Sequence, residues 1–185
     1  SQSSSSEPST LFNNCRNSDA SYAATLIHLW KKGLLDGKAF GEWIGGSFCH
    51  CEAQDTLILA LEQFDWHDVT LVDALRQFLD TFTLPGEAQK IDRIINEFAK
   101  RYFSCYQQLH QEDSLFPNVD FVYILAFSLI MLNTDAHNFN VKCKMTLSQY
   151  KKTYKLIDGN KNSTNGDYSE NSRMESFLEH CIEQY

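Results

Sequence analysis

Twelve consecutive residues, Phe121 to Leu132 (FVYILAFSLIML), are apolar all round apart from Ser128, and no other stretch limits the fold so strongly. The run is shorter than the roughly 20 residues a helix needs to cross a bilayer. It must therefore be covered by protein, either as a helix among helices or as a buried parallel strand. No alternation of strand and helix patterns flanks it, so the helix is the expected form.

Helical spacing governs the rest. Tyr22, Leu26, Leu29 and Trp30 share a face that Gly33 ends. A short helix is expected from about Lys38 to Ile44, closed by Gly45 and Gly46. Leu57, Ile58, Leu61 and Phe64 fall together in the segment after it. Thr70 opens the next helix through a Thr70-x-x-Asp73 relative of the capping box, followed by Leu71, Ala74, Leu75, Phe78, Leu79 and Phe82. Pro85-Gly86 breaks that pattern. A long helix from Glu87 to about Gln107 then buries Ile91, Ile94, Ile95, Phe98 and Tyr102. Residues 1–10 read as a Ser-rich tail and 157–172 as a polar loop. Met174, Phe177, Leu178, Cys181, Ile182 and Tyr185 mark a last helix. The expected fold is all-α, one domain over residues 11–185 with about eight to ten helices.

The net charge of −8 argues against nucleic acid as a partner and against unaided binding to anionic membranes. The six cysteines contain no C-x-x-C pair. Cys49-His50-Cys51 is their only cluster, so reduced thiols and no metal site are expected. Phosphate-binding loops of the G-x-x-x-x-G-K type, G-x-S-x-G elbows and H-E-x-x-H helices are all missing. The chemistry is expected to act on something a partner carries.

Two stretches stand out. In Thr83–Arg93 (TLPGEAQKIDR), Glu87 occupies the join between two helices, in the first turn of the second. Acids are favoured there by the helix dipole, yet a Pro-Gly bend also lets the carboxylate project outward. In Asn133–Asn140 (NTDAHNFN), Asp135 and His137 suggest a catalytic pair or a metal site, though residues two apart on a helix do not face each other, which weakens both. The alternative is a helix end whose polar side chains satisfy free carbonyls beside an apolar, partner-binding groove that runs to Met145.

TLPGEAQKIDRIINEFAKRY and FVYILAFSLIMLNTDAHNFNVKCKMTLSQY resemble the two signature motifs of the Sec-seven domain, the catalytic domain of guanine-nucleotide exchange factors for Arf GTPases. GLLDGKAFGEWIG and DVTLVDALRQFL resemble earlier segments of that family. The resemblance covers roughly Ser21 to Tyr154. It implies a right-handed helical superhelix whose two motifs frame an apolar groove for the switch regions of an Arf-family GTPase. Glu87 falls at the family's acidic finger, aimed at the β-phosphate of GDP and at the magnesium ion, both held by the partner. The groove residues implied are Tyr123, Phe127, Ile130, Met131, Asn133, Thr134, Asp135, His137 and Asn138, with Met145 adjoining. A cofactor-free monomer, cytoplasmic and peripheral at Golgi or endosomal membranes through its parent protein, is implied as well.

Ala136 and Phe139 depart from the family's usual Leu and Pro, and the stretch after Tyr154 departs from its usual glycine-rich continuation. Asp135 and Met145 resemble the large Golgi-type members. At the positions that bear on the inhibitor brefeldin A, sensitive members carry Tyr-Ser where this chain has Phe127-Ser128, so weak sensitivity is expected. Two rival readings remain: a non-catalytic scaffold that binds a GTPase, and a hydrolase using His137 with Asp135 or Glu87.

Overall fold

The computed structural model describes residues 19–46, 51–110, 115–146 and 148–150. Six helices lie among them: α1 (Asp19–Lys31), α2 (Gly37–Ile44), α3 (Cys51–Leu61), α4 (Leu71–Leu79), α5 (Ala88–Leu109) and α6 (Val119–His137). No strand occurs among the described residues. The tail at 1–10, the loop at 157–172 and the last helix expected from Met174 lie outside them.

Local chemistry sets the helix starts. Asp36, Thr70 and Asn118 each accept a hydrogen bond from the backbone N–H three residues on, which satisfies an otherwise open donor. The carboxylate of Asp73 does not complete a capping box. It accepts from the Thr70 hydroxyl at 2.7 Å instead. Thr146 and Gln149 do form one, with Thr146 N–H donating to Gln149 Oε1 at 2.8 Å and Gln149 N–H donating to Thr146 Oγ1 at 3.3 Å. Gly33 has φ of +66°, which releases the chain after α1. Gly45 ends α2 in a right-handed conformation, so its lack of a side chain serves packing rather than a left-handed cap.

α1 lies along α3, and α5 along α6. Aromatic side chains fill the space between elements. Trp66 stands 5.0 Å from both Phe64 and Phe98, and Phe98 continues to Tyr102 at 6.1 Å. The polar tips find partners: Tyr102 Oη donates to Val69 O at 3.0 Å, and Trp66 Nε1 donates to Gln77 Oε1 at 3.3 Å. α5 buries Ile94, Ile95, Phe98 and Tyr102 as expected, while Ile91 is only half-buried. Leu79 is half-buried too, and α4 stops there rather than reaching Phe82.

Two expectations need correction. In α3, Ile58 is exposed, and Ala53, Leu57, Ala60 and Leu61 form the inner stripe. α6 has 19 residues and, by length and composition alone, would suffice for a membrane span. It is not enclosed on all sides either. Val122, Leu125, Ala126, Leu129 and Leu132 face the core, whereas Met131 is 56% exposed and Tyr123, Phe127 and Ile130 are half-buried. An all-apolar run carries no periodicity to reveal which face is inward.

Candidate functional site

The corner that carries Glu87 is built on α2. Gly41 lets the backbone of Thr83 cross that helix, since a Cβ there would stand 2.0 Å from Thr83 O. Thr83 N–H donates to Gly37 O at 3.1 Å. Pro85 is buried, so the turn is pinned on its inner side. One helical turn further along α2, a Cβ on Gly45 would meet Lys90 Cβ at 2.8 Å, and Arg93 Nε donates to Gly45 O at 3.0 Å. The first turns of α5 are thereby clamped to the end of α2.

Glu87 is the N-cap residue of α5, one position before the first helical turn, with φ −93° and ψ 124°. Its carboxylate makes no capping hydrogen bond, unlike the side chains of Asp36, Thr70 and Asn118. Its side chain is 68% exposed and reaches Lys90 Nζ at 2.9 Å. The same ammonium lies 2.6 Å from Glu42 Oε2. The Lys90 hydrogen bond lowers the Glu42 pKa below its ordinary value, and the Gly86 backbone adds to that effect. The Lys90 ammonium is correspondingly raised, by Glu42 first and Glu87 second.

The outward face of α6 supplies the second half. Tyr123 Oη donates to Asp92 Oδ1, a bond that pushes the phenol up to about 12. Asp92 lies five residues into the α5 side of the corner, about 8 Å along the helix axis from Glu87. The apolar side chains of Tyr123, Phe127, Ile130 and Met131 therefore lie on the helix packed beside the one Glu87 introduces. Ser128 turns inward, its Oγ donating to Leu125 O at 2.8 Å and bonding Tyr150 Oη at 2.6 Å.

Asn133 to His137 form the C-terminal end of α6, as the helix-end reading expects. Thr134 Oγ1 donates to Ile130 O at 2.8 Å. Lys144 Nζ donates to the carbonyls of Asp135 and Asn138, both at 2.6 Å. The Asp135 carboxylate accepts from Met145 N–H at 2.7 Å, turned toward the loop rather than toward His137. The catalytic pair considered for a hydrolase is therefore not assembled. Asn133 is half-buried, His137 and Asn138 are exposed, Met145 is 42% exposed, and Phe139 stands fully in solvent.

Glu42, Lys90 and Lys144 join the candidate residues from outside the motif reading. Glu42 and Lys90 lie 48 positions apart, so no spacing rule links them. Lys144 had a weak signal as a cation just past a helix C-terminus. Among the described residues no three His, Cys, Asp or Glu side chains gather as a metal site requires. Cys105 is a buried free thiol and Cys143 an exposed one.

A family model described as the Sec7 domain matches residues 9–171. Brefeldin A-inhibited guanine nucleotide-exchange protein 1 of Homo sapiens is 41% identical over 133 residues, covering 72% of this chain and 7% of that protein. The ADP-ribosylation factor guanine nucleotide-exchange factor SEC7 of Saccharomyces cerevisiae is 39% identical over 128 residues, 67% of this chain and 6% of that protein. The chain thus spans a small part of these long relatives. Among solved structures, the Sec7p catalytic domain superposes with a TM-score of 0.67 at 30% identity, covering 100% of this chain and 94% of that one. A Sec7 domain bound to ARF1-GDP and brefeldin A gives 0.61 at 30% identity, over 74% of this chain and 64% of that one.

Proposed function

The chain belongs to the Sec7 domain family, and we propose that it stimulates GDP release and GTP loading on an Arf-family GTPase, with Glu87 as the acidic finger. The observation that carries this reading is the state of Glu87. It is an exposed, uncapped carboxylate on a turn whose inner side is buried, next to a helix with an unburied apolar face.

That combination suits exchange. The apolar face of α6 supplies binding free energy, with Tyr123, Phe127, Ile130 and Met131 as anchors and Asn133, Thr134, His137 and Asn138 as the polar rim. Docking there brings the corner of α5 toward the nucleotide. A carboxylate about 4 Å from a phosphate is repelled by roughly 4 kcal/mol per charge pair at an effective dielectric of 20. It also competes for the lysine and the magnesium ion with which a small GTPase holds its phosphates. Both effects favour the empty nucleotide site, which cellular GTP then fills. The nucleotide and the metal stay with the GTPase throughout. Placement at Golgi or endosomal membranes belongs to the parent protein.

The test is GDP release from an Arf protein loaded with fluorescent GDP, at excess GTP, with catalytic amounts of this domain. Wild type accelerates release, and Glu87→Lys binds the GTPase without accelerating it. Near-normal exchange by Glu87→Lys sinks the finger mechanism. Binding without acceleration by the wild type, across several Arf proteins, marks a non-catalytic scaffold.

A further inference from the structure

Lys90 is shared between two carboxylates that are not equivalent. Glu42 lies 2.6 Å away on the clamped helix α2, and its side chain is 39% exposed. Glu87 lies 2.9 Å away and is 68% exposed. The Cβ of Lys90 lies against Gly45, which has no room for a side chain. The ammonium is therefore tied more firmly to Glu42 than to Glu87.

The difference matters when Glu87 moves. If Lys90 had only Glu87 as counter-ion, the departure of the carboxylate would leave a half-buried cation unpaired, which is disfavoured. With Glu42 in place, the ammonium stays neutralised and loses only one exposed ion pair.

We infer, on the exchange reading above, that Glu42 is a positioning residue: it holds Lys90 at the corner so that the Lys90–Glu87 pair docks the finger in the free chain yet breaks readily when the finger meets its anionic target. Glu42 thereby acts on Glu87 through Lys90, without touching the GTPase.

Glu42→Gln is the informative change. It keeps the side chain's shape, but leaves Glu87 as the sole neighbouring counter-ion of Lys90. GDP release from a fluorescent-GDP-loaded Arf protein is measured with wild type, Glu42→Gln and the Glu42→Gln/Lys90→Met double variant. Glu42→Gln slows exchange by roughly two- to fivefold, the factor an exposed ion pair carries, with unchanged affinity for the nucleotide-free GTPase. The double variant, with no cation left to hold Glu87, returns toward the wild-type rate. A bridge that merely fastens α2 to α5 gives the opposite pattern, with the double variant as slow as Glu42→Gln or slower. That result, or an unchanged Glu42→Gln rate, overturns the inference. Side-chain NMR relaxation of Glu87 without any GTPase gives a readout independent of exchange. Glu87 becomes less mobile in Glu42→Gln, and equal or greater mobility also overturns the inference. Failure of the wild type to accelerate release strikes the exchange reading itself.

Discussion

Two turns carry the candidate site, and they are held in opposite ways. The turn before α5 is fixed from the inside: Pro85 is buried, Thr83 crosses α2 at Gly41, and Lys90 and Arg93 bind α2 beyond it. The loop after α6 is fixed from the outside, by Lys144 on two carbonyls and by the half-buried Asp135 on the Met145 N–H, with Asn138, Lys144 and Met145 exposed. A charge that must reach one point on a partner needs a stiff support. An apolar surface that must fit a partner's shape tolerates, and gains from, a rim that can re-pack. On the proposed exchange function, the difference separates the delivery of charge at one end of α5 from the adaptation of surface at the end of α6.

The largest effect expected from this contrast lies at Gly41. Gly41→Val places a side chain against an immovable backbone carbonyl and destabilises the fold by roughly 4 kcal/mol, measured by denaturant unfolding. A loss below about 1 kcal/mol would mean that the corner is not clamped as described.

A second comparison runs across α6 itself. Leu129→Ala, at a fully buried position, lowers stability by about 3 kcal/mol. Met131→Ala, at an exposed one, lowers it by less than about 0.5 kcal/mol. On the proposed function, Met131→Ala instead weakens binding of the GTPase by about 1–2 kcal/mol. Equal stability losses at the two positions would erase the distinction between the inner and outer faces. Lys144→Met removes both carbonyl contacts of the loop at a stability loss of about 1 kcal/mol, and calorimetry of GTPase binding reads whether the surface still forms.

The smallest effect is in pH. The Glu42 carboxyl is held below its ordinary value of 4.5 by Lys90. Its contribution is thus fully present above pH 4.5 and is lost as pH falls through the depressed value. Carbon NMR of the Glu42 carboxyl should show this low titration, and Lys90→Met should move it back up.

The sequence carried the helices well, because turn chemistry and apolar spacing act locally. Pro85-Gly86, the cap at Thr70 and the stripe through Leu71, Leu75 and Phe78 all read directly. It carried the helix faces less well. Ile58 fits a helical stripe yet points outward, and the apolar run of α6 has no polar positions to mark its outer side. It carried the supports of the site least. The Glu42–Lys90 bridge, the seat of Thr83 on Gly41 and the Asp135–Met145 bond depend on which elements lie side by side, and spacing within one element says nothing of that. The likeness to the Sec7 motifs located Glu87 and the α6 residues, whereas the positions that orient them emerged only from the packing.

The empty cap at the start of α5 has a further consequence for anyone seeking to harden this domain. Asp36, Thr70 and Asn118 show what the position ordinarily does, and Glu87 does not do it. Glu87→Ser supplies the missing acceptor and should raise the unfolding free energy by about 1 kcal/mol, read as a higher urea midpoint, while abolishing the nucleotide exchange proposed for this chain. On the proposed mechanism, a selection for thermal tolerance alone would drift toward that serine and discard the activity. The uncapped start of α5 is thus a place where added stability and the proposed activity exclude each other.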